Sequence, residues 1–112
     1  MKRIEAIIRP HKLEEVLQAL AKSSAVGVTV LETVGFGRQM GHSEVYRGVE
    51  HEMGLVPKRM LVMFVTDDQV NDTVNLIREI SQTGKFGDGK ISVMPVDGLV
   101  RIRTGEEGES AL

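Results

Sequence analysis

Residues 60–65 read Met60-Leu61-Val62-Met63-Phe64-Val65, "MLVMFV", an apolar run with no polar residue at alternate positions. Six residues is short for a helix, and the mix of Val, Phe and Leu suits a strand. A strand with one face in water alternates polar and apolar side chains, and this one does not, so both of its faces should be covered. Just downstream, Thr66-Asp67-Asp68 supplies helix-capping chemistry. Val70, Val74, Leu76 and Ile77 then recur at helical spacing as far as a stop near Gly84. Residues 91–96 read as another strand, and residues 99–102 as a short extended continuation.

Upstream the pattern repeats. Residues 28–34 are rich in β-branched side chains and predict a strand. Before it, Leu13, Val16, Leu17, Leu20 and Ala21 form a helical stripe, followed by Ser23-Ser24 and Gly27. Earlier still, Ile4, Ala6 and Ile8 alternate with Arg3, Glu5 and Arg9 until Pro10 ends the strand. The order is strand, helix, strand, strand, helix, strand. That predicts an α+β, ferredoxin-like βαββαβ sandwich, with an antiparallel sheet and two helices on one face. Nothing else in the chain can cover the second sheet face, so a closed homo-oligomer is expected.

The 112 residues suit one domain spanning 1–112. A net charge of −2 argues against non-specific nucleic-acid or bilayer binding. The absence of cysteine excludes disulfides and thiolate chemistry and fits a reducing cytosol. The opening "MKRIEAIIRP" has too short an apolar run for a secretion signal or a membrane span, so a soluble cytoplasmic protein is expected. His11, His42 and His51 are not spaced as metal ligands.

Two segments invite chemistry. Residues 38–55, "RQMGHSEVYRGVEHEMGL", join two strands where a hairpin needs only two to five residues, and an arm of this length usually meets a partner. The second is "QTGKFGDGKI", residues 82–91. Gly84, Gly89 and Lys90 fit a phosphate-binding P-loop, but Ile91 stands where a magnesium-holding Ser or Thr belongs. The loop also follows a helix and opens a strand, the reverse of the P-loop order. Gly35, Gly37, Arg38, Gln39, Lys58, Arg101 and Arg103 offer the close backbone approach and charge-assisted donors that a phosphate site uses. Arg101 and Arg103, at alternate positions of the extended segment, should point the same way.

The combination "GFGRQMGHSEVYRG", "TGKFGDGKI" and "RIRTGEEG" resembles the PII signal-transduction family, the GlnB/GlnK nitrogen regulators, over the whole chain. The resemblance implies a homotrimer with ATP or ADP in the clefts between subunits. It makes residues 38–55 the T-loop, 83–90 the B-loop and 101–105 the C-terminal loop. The amides of Gly87, Asp88 and Gly89 with Lys90 would cradle phosphates, neutralised by Arg38, Arg101 and Arg103. Ile7, Thr29, Gly35 and Phe64 would lie along or near the adenosine, with Gly37 and Gln39 completing the nucleotide site. In relatives that sense 2-oxoglutarate, Mg²⁺ is held by ATP, the metabolite and a glutamine matching Gln39. Lys58 and Arg9 would then meet the carboxylates, with Met40, Gly41 and Gly87 close by. Arg47 matches a tip arginine that relatives insert into ammonium transporters, so the implied partner is such a transporter or another nitrogen-metabolism enzyme or regulator. Membrane contact would come only through that partner.

Departures from the family pattern bear on regulation. His51 and Val49 stand where relatives carry a uridylylated tyrosine or a phosphorylated serine, Val62 replaces a common acid, and Met40 a common lysine. The contrasting readings are an enzyme on the same fold, a phosphotransferase or acylphosphate hydrolase, and a PII-like nucleotide sensor of a non-nitrogen partner. The enzyme is disfavoured because the sequence shows no nucleophile with a paired base.

Overall fold

The computed structural model describes residues 1–25, 27–37, 45–46, 49–50 and 54–112. Strand β1 (Lys2–Ile8) is followed by a 3₁₀ turn at Pro10–Lys12 and helix α1 (Leu13–Ala21). After β2 (Thr29–Gly35), two short strands, β3 (Val45–Tyr46) and β4 (Val49–Glu50), pair with one another inside the long arm. Then come β5 (Val56–Val65), α2 (Val70–Ser81) and β6 (Lys90–Pro95). The main sheet has the order β2-β5-β1-β6 and is antiparallel throughout. This is the ferredoxin-like arrangement that the periodicities predict.

β5 holds the centre and is longer than the apolar run alone suggests, starting at Val56 rather than at residue 60. Its first three residues include Pro57, which has no amide hydrogen to give. Pairing with β1 begins only at Arg59, opposite Ile8, so Pro57 has a sheet neighbour on one side, β2, and costs no ladder bond to β1. One face of the sheet meets the helices. Ile4, Ala6 and Ile8 of β1 pack there with Leu61, Met63 and Val65 of β5, Val16 and Leu20 of α1, and Ile77 of α2, all fully or almost fully buried.

The opposite face is mixed rather than apolar. Cross-strand register puts Leu31, Met60, Val62, Phe64 and Met94 on it beside Arg3, Glu5 and Ser92. Arg3 pairs with Glu5 at 2.8 Å, and its guanidinium lies 5.9 Å from the Phe64 ring centre. The run at 60–65 is apolar on both faces of its own strand, but β1 and β6 add charge to the uncovered side.

A second difference lies near the C-terminus. Residues 99–102 do not form an extended strand: Val100 makes a single bridge to Glu107, and the chain turns over in between. The Arg101 amide donates to the Glu106 carbonyl and the Gly105 amide to the Arg101 carbonyl. Gly105, with φ +74°, permits the reversal. Arg101 and Arg103 are therefore not alternate residues of one strand. Among the described residues no helix is long and apolar enough to cross a membrane.

The entry to α2 is tied by one side chain. Gln69 Oε1 accepts from the Thr66 amide at 2.9 Å, and Gln69 Nε2 donates to the Ser24 carbonyl at 3.1 Å, joining α2 to the connection after α1. Gln69→Ala should lower stability by about 1–2 kcal/mol, two ordinary hydrogen bonds. Urea unfolding should show this as a lower midpoint at unchanged slope.

Candidate functional site

The loop between α2 and β6 is folded around a single carboxylate. Asp88 accepts from the Thr83 amide at 2.8 Å, the Gly84 amide at 2.9 Å and the Thr83 hydroxyl. Arg9, just past the end of β1, donates to the same carboxylate at 3.1 Å through Nε and to the Phe86 carbonyl at 2.7 Å through Nη2. Partial burial pushes the Asp88 carboxyl up, but the hydrogen bonds from Thr83, Arg9 and Gly84 outweigh it and hold the group well below the ordinary carboxylate range. Asp88 is thus an ionised anchor.

Gly89 closes the loop onto the sheet. Its φ is +100°, and a Cβ placed there would stand 1.7 Å from the Ile7 carbonyl oxygen, so the position admits only glycine without moving backbone. The next residue, Lys90, opens β6 opposite Ile7. From the adjoining strand, Lys58 reaches the loop and its Nζ donates to the Gly87 carbonyl. Lys58 is 5% exposed, unusual for an ammonium group. Gly35 leaves space for its stem: a Cβ at Gly35 would meet Lys58 Cγ at 3.2 Å.

Ile7, Gly35, Gly37, Lys58 and the loop residues 85–90 line a cleft of about 520 Å³. The hydrogen bonds that shape the loop use the Asp88 carboxylate and the carbonyls of Phe86 and Gly87. Among the described residues, none uses the amides of Gly87, Asp88 or Gly89. Such a run of amides beside lysines is suited to receive an anion.

The structure gathers part of the predicted site and leaves part of it elsewhere. Ile7, Gly35, Gly37, Lys58 and Gly87 to Lys90 meet in this cleft, with Arg9 behind it as a brace on the loop. Phe64 lies toward the other end of the sheet, opposite Arg3, four residues and about 13 Å along β1 from Ile7. Thr29 pairs with Val62, next but one to Phe64. Arg101 lies in the turn after β6, held by Glu106 at 3.0 Å and by the Leu112 carbonyl, while Arg103 is exposed. Arg38, Gln39, Met40, Gly41 and Arg47 lie outside the described residues.

Three lining residues were not singled out from sequence: Lys85 and the exposed Phe36 and Phe86. The bracing role of Asp88 was missed as well. Its signal was available, since an aspartate four residues after a Thr-Gly pair is placed to fold a loop onto its own carboxylate.

Fold and site together define a small ferredoxin-like domain that carries a braced glycine loop, shaped for an anion, at the end of its sheet. The family model described as "Nitrogen regulatory protein P-II" matches residues 1–106, and the chain belongs to that family. It is 51% identical over 112 residues to the nitrogen regulatory protein P-II of Pasteurella multocida (strain Pm70), and 51% identical to that of Klebsiella oxytoca. Identity to the nitrogen regulatory protein P-II 1 of Escherichia coli (strain K12) is 50%. Each of these alignments covers the whole of both chains.

Because the folded-state pKa of Asp88 is depressed, its contribution is present above the unfolded value near 3.9 and is lost as pH falls below it. Asp88→Asn should cost roughly 2–3 kcal/mol at pH 7, the scale of hydrogen bonds to a charged group. In urea unfolding the gap between parent and variant should narrow as pH drops from about 4 toward 2. Gly89→Ala should cost more than about 1 kcal/mol, since it adds a collision to a left-handed backbone. Amide spectra should show that change centred on Ile7 and residues 87–90.

Proposed function

We propose that this chain is a homotrimeric nitrogen-regulatory signal protein that binds ATP or ADP at the clefts between its subunits and has no catalytic turnover of its own. The observation that carries the reading is the division of the site. One chain presents the glycine loop, Lys58 and Lys90 at one end of its uncovered sheet face, and Thr29 and Phe64 toward the other. A single nucleotide spanning both sets needs the two ends brought together by neighbouring copies. The half-buried apolar residues of that face, Met60, Val62 and Phe64, support the same packing.

Binding rather than turnover is supported by the cleft's chemistry. Asp88 carries the only carboxylate among its described lining residues, and a carboxylate held ionised by several donors is a weak base. The loop amides, Lys58 and Lys90 fit phosphate oxygens. 2-oxoglutarate would meet Lys58 and Arg9, with Met40, Gly41 and Gly87 alongside. As the family resemblance implies, Mg²⁺ would be held by ligand oxygens with Gln39. When bound, it would supply charge neutralisation between phosphates and metabolite.

In this reading the ligands bias the arm of residues 38–55, which engages the partner: an ammonium transporter through Arg47, or another nitrogen-metabolism protein. The protein would be cytoplasmic and reach a membrane only by docking there.

Calorimetry with Mg·ATP should show binding that 2-oxoglutarate strengthens, and the effect should be reciprocal. Arg101→Ala should weaken ATP binding by about 1.5–3 kcal/mol, one charge-assisted contact. Sedimentation should return a trimer. A stable monomer, or an unchanged ATP affinity in the Arg101 variant, would sink the reading.

A further inference from the structure

The pairing of Arg101 with Glu106 differs in kind from that of Arg9 with Asp88. Arg9 and Asp88 are mostly buried, and the carboxylate also gathers the backbone donors that fold the glycine loop. Arg101 and Glu106 lie in the turn after β6, with side chains 31% and 46% exposed. That turn is closed by its backbone. The Arg101 amide donates to the Glu106 carbonyl at 2.9 Å, the Gly105 amide to the Arg101 carbonyl at 2.7 Å and the Gly108 amide to the Leu99 carbonyl at 2.9 Å, while Val100 bridges Glu107. The ion pair is laid over a reversal that already holds, and an exposed pair adds little stability because water competes for both charges.

What the pair does is occupy the guanidinium. Arg101 Nη1 donates to Glu106 Oε1 at 3.0 Å, and Nη2 donates to the Leu112 carbonyl. Both nitrogens at the tip are committed to oxygens of the same chain, whereas arginine grips a phosphate best with two nitrogens in parallel. The acceptor on Nη1 is moreover an anion, the chemistry that a phosphate oxygen would bring. A phosphate that takes the tip of Arg101 has to expel a carboxylate, which repels it for as long as it stays close.

We propose that Glu106 is an internal competitor for the phosphate contact of Arg101, its carboxylate holding the guanidinium until a nucleotide phosphate displaces it. This inference rests on the nucleotide reading given above. The expelled side chain turns into solvent, which its exposure allows, and the backbone bonds keep the turn closed. One anion replaces another, so the guanidinium is never left without a counter-charge. The competition lowers affinity below what the donors alone would give, and a phosphate of higher charge displaces the carboxylate more readily than one of lower charge.

The test is calorimetry of Mg·ATP with the full chain and with two variants that remove the same charge from adjacent positions. Glu106→Gln keeps the shape of the side chain, loses the ionic grip and should lower the dissociation constant about threefold, the scale of an exposed ion pair. Glu107→Gln, whose carboxylate is not an acceptor of Arg101, should leave the constant unchanged. A tighter complex cannot come from a damaged turn, since lost shape weakens binding. Unchanged or weaker binding by the Glu106 variant would make the carboxylate a mere prop for the arginine and overturn the proposal. An equal gain in the Glu107 variant would reduce the effect to net charge and overturn it as well. A parent chain that binds ATP keeps the nucleotide reading whichever way the variants fall, whereas a parent that binds none removes that reading and this inference with it.

Discussion

The ion pair between Arg9 and Asp88 is the constraint on which the site depends. A glycine-rich segment between a helix and a strand has many accessible conformations, and ordering it costs more entropy per residue than ordering any other sequence. Asp88 offsets that cost by collecting four donors at one carboxylate, three of them from Thr83 and Gly84. Those three bonds close the loop on itself, and Arg9 fixes it to the sheet. The side chains of this pair are only 17% and 23% exposed, so solvent and salt weaken it less than they weaken the exposed contacts of Met1 and Lys2 with Asp67. Without the anchor, Gly87 to Gly89 would still carry amides but would not hold them together for an anion.

The sheet explains why the glycine loop and Lys58 meet at this edge. β5 is central, and the first three residues of its length reach past the end of β1, so Lys58 emerges beside the loop rather than beneath a neighbouring strand. Gly35 keeps space for its aliphatic stem, and the Gly87 carbonyl orients its ammonium. The same geometry leaves the uncovered face with two unlike ends. One is rich in lysine and loop backbone, and the other holds Phe64 against the Arg3 and Glu5 pair.

Much of the architecture could be read in the residues. Ile4, Ala6 and Ile8 alternate cleanly because only one face of β1 meets the helices, and α1 and α2 carry stripes for the same reason. The errors fall where tertiary contacts override local pattern. Thr73 and Ser81 are buried polar residues on α2, invisible to an apolar stripe. The turn after Arg101 hides within a β-like spelling, since Val100, Ile102 and the flanking arginines alternate as a strand would. Gly105 and the capture of Arg101 by Glu106 decide otherwise. The glycine loop could be singled out from its sequence, but not the means of its folding. Arg9 and Asp88 are 79 residues apart, and no local pattern announces a partner at that distance.

Pinning also dictates how the loop can communicate. It is tied to the rest of the chain by Arg9 on Asp88 and Phe86, by Lys58 on Gly87, and by the contact of Gly89 with the Ile7 carbonyl. A bound anion that displaces it would therefore move one of these three contacts, and the Gly89 contact ends on β1, which is clamped between β5 and β6 and has little freedom. Lys58 is the compliant link. It stands two residues from Val56, whose register partner Gly35 is the last pair of the β2–β5 ladder before the chain departs into residues 38–55. In the proposed function, a change in charge at the loop would have a route through a lysine side chain to the root of the arm, along two hydrogen-bonded strands.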